Sequence, residues 1–402
     1  MKIVSTFFAG VTVVAALVGV NAPASGQETI KIGEINSYSG LPAFTEPYRK
    51  GWQLALEEIN AAGGVDGKKL EVISKDDGGK PADAVTAANE LVAKDGVVML
   101  AGTFFSNIGL AVSDFAKQKK ILFLAAEPLT DAITWSKGNR YTFRLRPANY
   151  EQAAMLAEEA AKLPAKKWAT IAPNYEYGQS AVAVFKKLLS AKRPDIEWVG
   201  EQWPPQGKID AGAVVEAIAR TEPEAILNVT FGPDLVKLVR EGNTRGLFKG
   251  RVVVSFLTGE PEYLDPLKDE APEGWIVTGY PWNAVSIPEH AAFLKAYQAK
   301  YNDYPRLGSV VGYSTLKAAA AILAKAKSTD SEKLVDAAEG ISAETPFGKV
   351  TFRKVDHQST LGAFVGKTAL KDGKGVMVDV AYRDGAKYLP SEADAKALRP
   401  QD

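Results

Sequence analysis

The chain has 402 residues, enough for one large domain or two ordinary ones. Its 48 Lys and Arg balance 48 Asp and Glu, which leaves no electrostatic footprint for nucleic acid or an anionic membrane surface. With no cysteine, disulfides, thiolate catalysis and cysteine metal sites are excluded.

Lys2 is followed by the apolar "IVSTFFAGVTVVAALVGV" and then by "NAPASGQ". A basic start, an apolar stretch and small residues read as a secretory signal peptide over residues 1–26, cleaved after Ala24 or Gly26. The stretch is at the short limit for a membrane anchor. The rest is expected to be exported.

From Thr29 onward strands and helices alternate. "TIKIGEI" is a strand, and "PYRKGWQLALEEINAAGG" a helix with Tyr48, Trp52, Leu56 and Ile59 on one face. Strand "KLEVISKDD", helix "KPADAVTAANELVAKDG", strand "VVMLAG", helix "NIGLAVSDFAKQKK" and strand "ILFLAA" follow. A second series runs from "EQAAMLAEEAAKL" through "WATIAP", "GQSAVAVFKKLLSA", "EWVGEQW", "AGAVVEAIART", "EAILNVTF", "PDLVKLVREGN" and "RVVVSFL" to "GWIVTGY". Two long helical stretches and the strand-like "GKVTFRK", "GAFVGKTAL" and "GVMVDVAYRDG" close the chain. This is an α/β pattern with parallel sheets covered on both faces, in two similar lobes.

Ligands of open parallel sheets bind outside the carboxyl ends of the strands. Those turns here are "NSYSGLPAF", "GTFFSN", "AAEPLT", "PNYEYGQ", "TFGPD", "SFLTGEP" and "GYPWN". Nearly all carry a ring: Tyr38, Phe44, Phe104, Phe105, Tyr175, Tyr177, Phe231, Phe256, Tyr280 and Trp282. Core packing explains any one of them; a whole set at strand ends points to a cleft with aromatic walls. Ser106 or Asn107 is expected to cap the helix after "GTFF", whose free N–H groups favour an anion.

"IKIGEINSYSG", "GWQLALEEINAAGGVDGKKLEV", "KDDGGKPADAVTAANELV", "YGQSAVAVF" and "GPDLVKLVREGNTRGL" resemble the periplasmic solute-binding proteins of ABC importers, in the branched-chain amino-acid (type I) group. The resemblance covers nearly all of the exported chain. It implies two Rossmann-like lobes joined by three crossovers, with solute trapped by hinge closure. It places the first lobe at 28–146 plus 281–355 and the second at 147–280 plus 356–402. It also implies a periplasmic location, a membrane permease as partner and no cofactor, and the protein is expected to act as a monomer.

Amino-acid-binding members hold the ligand's ammonium with carboxylates. Here Asn149 stands at one such position, and Leu257 or Thr258 at the other, with Glu260 as a substitute if the turn aligns differently. The turn that cradles the α-carboxylate is bulky, with Phe104 and Phe105. Asn107, Ala125, Ala126, Glu127, Tyr177 and Phe231 match the family's remaining solute contacts. A dry cleft without an ammonium partner and with added rings points to an aromatic carboxylate, a benzoate or a hydroxycinnamate such as p-coumarate. A branched-chain or other amino acid is the alternative. Arg146 is the candidate fork for the carboxylate, against an inter-lobe or surface salt bridge. Glu127 is the candidate acceptor for a ring hydroxyl, against a solvated residue at a strand end.

Catalytic motifs are absent: there is no G-x-S-x-G, Walker A loop, G-x-G-x-x-G or H-E-x-x-H. His290 and His357 read as solvated, and "KDDGG" as turn chemistry rather than a metal site. The chain is expected not to be an enzyme. A ligand-sensing domain is a third reading, disfavoured because no signalling segment follows the last strand.

Overall fold

The computed structural model describes residues 1–7, 9–10 and 29–400. Most of the segment read as a signal peptide lies outside the described residues.

The first lobe is built on five parallel strands: β1 (Thr29–Asn36), β2 (Lys69–Asp76), β3 (Met99–Gly102), β4 (Phe123–Ala125) and β5 (Thr142–Arg144), in the order β2-β1-β3-β4-β5. Between them run α1 (Pro42–Ala61), α2 (Pro81–Glu90), which ends in a π-turn at Leu91–Asp95, and α3 (Ser106–Lys119). Pro42 and Pro81 stand in the first turns of their helices, where a missing N–H costs nothing.

The chain then passes to a seven-stranded sheet through α4 (Asn149–Ala160). Its elements are β6 (Lys167–Ile171), α5 (Glu176–Lys192), β7 (Glu197–Gln202), α6 (Ala211–Arg220), β8 (Ala225–Asn228), α7 (Gly232–Thr244), β9 (Val252–Gly259), the short α8 (Pro261–Leu264) and β10 (Ile276–Gly279). It returns to the first lobe for α9 (Pro288–Tyr301), α10 (Leu307–Ala326), α11 (Ser331–Ala338) and the hairpin β11 (Ser342–Thr345) and β12 (Gly348–Thr351). It crosses again to add β13 (Ala363–Lys371) and β14 (Lys374–Arg383), both antiparallel, giving the order β14-β13-β10-β9-β8-β6-β7. The last helix is α12 (Glu392–Leu398). This is a two-lobe α/β fold dominated by parallel strands.

The tail departs from the expectation that it belongs wholly with the second lobe. Arg399, just after α12, donates to the carbonyls of Thr134 (2.9 Å) and Asn139 (2.6 Å), on the connection into β5. A guanidinium with five donors ties the tail there more firmly than apolar patterning foretells.

In the first lobe α10 lies along α1. A Cβ on Gly312 would fall 2.1 Å from the carbonyl oxygen of Tyr48, so only glycine allows this approach. The packing turns the N-terminus of α10 toward the second lobe.

Candidate functional site

The carboxyl ends of both sheets face each other, and the turns that leave them carry the site. In the first lobe Gly102 leads into Thr103, whose φ of 63° is left-handed. A β-branched residue adopts this only when its surroundings impose it. The turn then delivers Phe104 and Phe105 at the mouth of α3. Phe44 comes from the first turn of α1, and Glu127 and Leu129 follow β4. In the second lobe Tyr175 and Tyr177 flank the start of α5, Phe231 precedes α7, and Tyr263 lies in α8. Leu257 repeats the device of Thr103, with φ 63° in β9.

The rings converge across the boundary. Phe231 has its centroid within reach of five others: Tyr177 at 5.8 Å, Phe44, Phe104 and Tyr175 at 6.4 Å each, and Phe105 at 6.5 Å. Phe44 meets Tyr263 edge-on at 5.2 Å and Phe104 at 5.6 Å. Such pairs add about 0.5–1.5 kcal/mol each beyond the burial of their area. The cleft between them is lined by Phe104, Ser106, Glu127, Leu129, Arg146, Tyr175, Tyr177, Phe231, Leu257 and Tyr263. Its free volume is about 20 Å³, so the lobes stand closed with the rings filling the space themselves.

One end of the cleft is charged. The Arg146 guanidinium bonds Glu127 at 3.5 Å and Glu260 more closely. All three side chains are at most 5% exposed. Glu127 belongs to the first lobe, Glu260 to the second, and Arg146 to the connection between them. Burial pushes the Glu127 carboxyl up to about 7, against the pull of Arg146, with Glu262 adding to the rise. Burial likewise drives Glu260 well above its ordinary value, again opposed by Arg146. For Arg146 burial works against the cation, but Glu260 and Glu127 outweigh it and hold the guanidinium above its ordinary value. One fixed cation cannot compensate three buried carboxylates, so part of this cluster holds protons at neutral pH. Glu127 Oε1, Arg146 Nε and the Tyr177 hydroxyl have no hydrogen-bond partner, and all three residues line the cleft. Each is a buried polar group that the closed cleft leaves without a partner.

Of the residues singled out in the sequence, Phe44, Phe104, Phe105, Ser106, Glu127, Arg146, Tyr175, Tyr177, Phe231 and Leu257 come together. Others do not. Ser106 caps nothing: it is the first residue of α3, and its hydroxyl accepts from the N–H groups of Leu129 (3.3 Å) and Thr130 (3.2 Å). Asn107 is exposed on the next position. Ala125 ends β4, and the Ala126 N–H is taken by the Gly102 carbonyl at 2.9 Å. Asn149 stands behind the wall, where its amide donates to the Tyr177 carbonyl at 3.1 Å.

Tyr38 turns into its own lobe, accepting from the Trp52 indole (3.2 Å) beneath the Arg49 guanidinium. Phe256 packs on Phe185 in the second lobe's core, and Thr258 pairs with Ser255 at 2.6 Å. Tyr280 bonds His290 at 2.6 Å, and Trp282 stacks on Tyr304 at 4.6 Å, both at the crossovers. The histidines are not solvated. His290 is buried against Tyr280, and His357 is stacked on Phe143 at 3.9 Å with Nδ1 against the Thr142 carbonyl. The acids of "KDDGG" serve the turn: Asp76 accepts from the Gly78 N–H at 2.9 Å and Asp77 from the Ser37 hydroxyl at 2.6 Å. Among the described residues no group of three or more His, Asp or Glu is placed to hold a metal ion.

Tyr263 and Leu129 escaped the sequence reading. Tyr263 sits just past the turn after β9, and "GEPEYL" offered the one available signal, an aromatic close after a strand end.

A family model described as "Periplasmic binding protein" matches residues 29–374. Among curated relatives, a Leu/Ile/Val-binding protein homolog 7 of Brucella suis is 27% identical over 349 residues, covering 82% of this chain and 85% of that one. Among solved structures, a solute-binding protein of an ABC transporter from Rhodopseudomonas palustris, in complex with 3,4-dihydroxybenzoic acid, superposes with a TM-score of 0.78 at 24% identity, covering 89% of this chain and 99% of that one. A second from R. palustris, in complex with 4-hydroxybenzoate, gives 0.79 at 22% identity over 89% and 97%.

Proposed function

Because the chain belongs to the periplasmic binding protein family, we propose that it is the periplasmic solute-binding component of an ABC importer. Its solute is a small aromatic carboxylate of the benzoate or hydroxycinnamate kind. It binds and releases this solute without chemistry and hands it to a membrane permease.

The observation that carries the reading is Phe231 surrounded by five rings from both lobes. A cavity that takes benzene is about 150 Å³, far more than the closed cleft holds. The solute therefore enters while the lobes are apart, and its ring takes up contacts that the protein's rings otherwise make with each other. Burying its apolar area contributes roughly 25 cal/mol per Å². The solute carboxylate is served by the N–H groups at the start of α3 and by Arg146 Nε. Glu127 Oε1 and the Tyr177 hydroxyl, both unpartnered, suit a ring hydroxyl. The benzoates held by the R. palustris neighbours agree with this chemistry.

An amino acid is the second reading. Glu127 and Glu260 bring buried carboxylates to the cleft, as an ammonium requires, and the Brucella relative is named for leucine, isoleucine and valine. Arg146 already engages both glutamates, which favours the first reading.

A thermal-shift panel of benzoates, cinnamates, leucine and valine separates the two. Aromatic acids alone should raise the melting temperature, by an amount that grows with concentration over the dissociation constant. Stabilisation by leucine or valine alone would replace the first reading with the second.

A further inference from the structure

We propose that Glu262 is the closing latch of the two lobes: from α8 of the second lobe, its carboxylate supplies the cap that the first turn of α10, in the first lobe, lacks.

The first N–H groups of a helix have no acceptor within it. The residue before α10 is Arg306, whose side chain has only donors and is taken up by Asp303 (2.7 Å) and the Tyr304 carbonyl (2.9 Å). Glu262 meets the need from across the boundary. Its Oε2 accepts from the Leu307 N–H at 3.1 Å and its Oε1 from the Gly308 N–H at 2.7 Å. A carboxylate on a helix N-terminus is favoured by both the charge-assisted hydrogen bonds and the helix dipole. Gly308 also lets this end of α10 sit close on α1: a Cβ there would lie 2.8 Å from the Phe44 carbonyl oxygen. Three residues on, Asp265 accepts from the Tyr304 hydroxyl at 2.8 Å and pairs with Arg306 at 3.3 Å. One short segment of the second lobe thus lays two carboxylates on residues 304–308 of the first.

The latch adjoins the ring seat in the chain. Tyr263, next to Glu262, is the residue that meets Phe44 across the cleft. Closure that brings Tyr263 onto Phe44 therefore also sets Glu262 on α10. When the lobes part, the Leu307 and Gly308 N–H groups and the carboxylate all return to water. The latch rests on two-lobe closure and not on the chemical nature of the solute.

Amide hydrogen exchange over residues 303–311, with small-angle X-ray scattering, tests this on the full exported chain without added ligand. In Glu262→Ala, exchange in this segment should rise about tenfold or more, α4 and β6 should stay as in the wild type, and the radius of gyration should increase. Glu262→Gln keeps one acceptor oxygen and should fall between; it carries the test if the alanine variant does not fold. Wild-type exchange and scattering in the variant that folds would overturn the latch. Failure of every aromatic acid to bind, with exchange still raised, would remove the solute reading and leave the latch standing.

Discussion

Phe104 of the first lobe and Phe231 of the second stand 6.4 Å apart, centroid to centroid, with their rings tilted by 54°. They come from turns at the carboxyl ends of β3 and β8, so their separation is set by how far the lobes close. Phe231→Ala removes the ring that meets five of the others. Affinity for an aromatic acid should fall about tenfold or more, with far-UV circular dichroism unchanged. An affinity within twofold of wild type would place the ring seat elsewhere.

Arg146 is the single cation between Glu127 and Glu260. Arg146→Met leaves two buried carboxyls facing each other and should lower urea stability by about 3–5 kcal/mol. Adding Glu260→Gln to that variant should recover part of the loss, because one uncompensated acid is removed. A double variant less stable than the sum of the two single changes would show that the three side chains do not act as one charged unit.

Glu127 titrates near 7 because it is buried, against an ordinary value of 4.5. An acid whose folded pKa is raised stabilises the folded state at low pH, and that contribution is lost as pH rises through 7. Glu127→Gln has no such loss. Its stability relative to wild type should therefore improve between pH 5 and pH 8, by on the order of 2–3 kcal/mol. Urea melts of both proteins at the two pH values measure this. A difference that stays constant would mean that Glu127 is ionised throughout.

Thr103 is fully buried, left-handed, and has an unpartnered hydroxyl. Thr103→Gly relieves a backbone cost of about 1–2 kcal/mol but frees the turn that aims Phe104 and Phe105. The melting temperature should hold or rise while affinity for the solute falls. A lower melting temperature with wild-type affinity would contradict this reading of the turn.

The alternation of strands and helices was legible because the apolar stripe of α1 and the apolar strand runs are strong local signals. The aromatic strand-end turns were legible for the same reason, and they led to Phe104, Phe105, Tyr177 and Phe231. The residue within each turn that reaches the cleft was not. β9 is buried on both faces, so its sequence shows no alternation to say that Leu257 faces the site while Phe256 and Thr258 enter the core. The left-handed φ of Leu257 reverses what a regular strand would present. The pairing of Arg146 with Glu260, 114 positions apart, depends on lobe closure and has no local trace. The same holds for Glu262, whose partners begin 45 positions later.

Titration calorimetry on the exported chain, with 4-hydroxycinnamate, benzoate and leucine in parallel, tests the central claim most directly. One site per chain is expected for an aromatic acid, with a negative heat-capacity change from burial of its ring and no heat of binding for leucine. Saturable binding of leucine with none for either aromatic acid would contradict it.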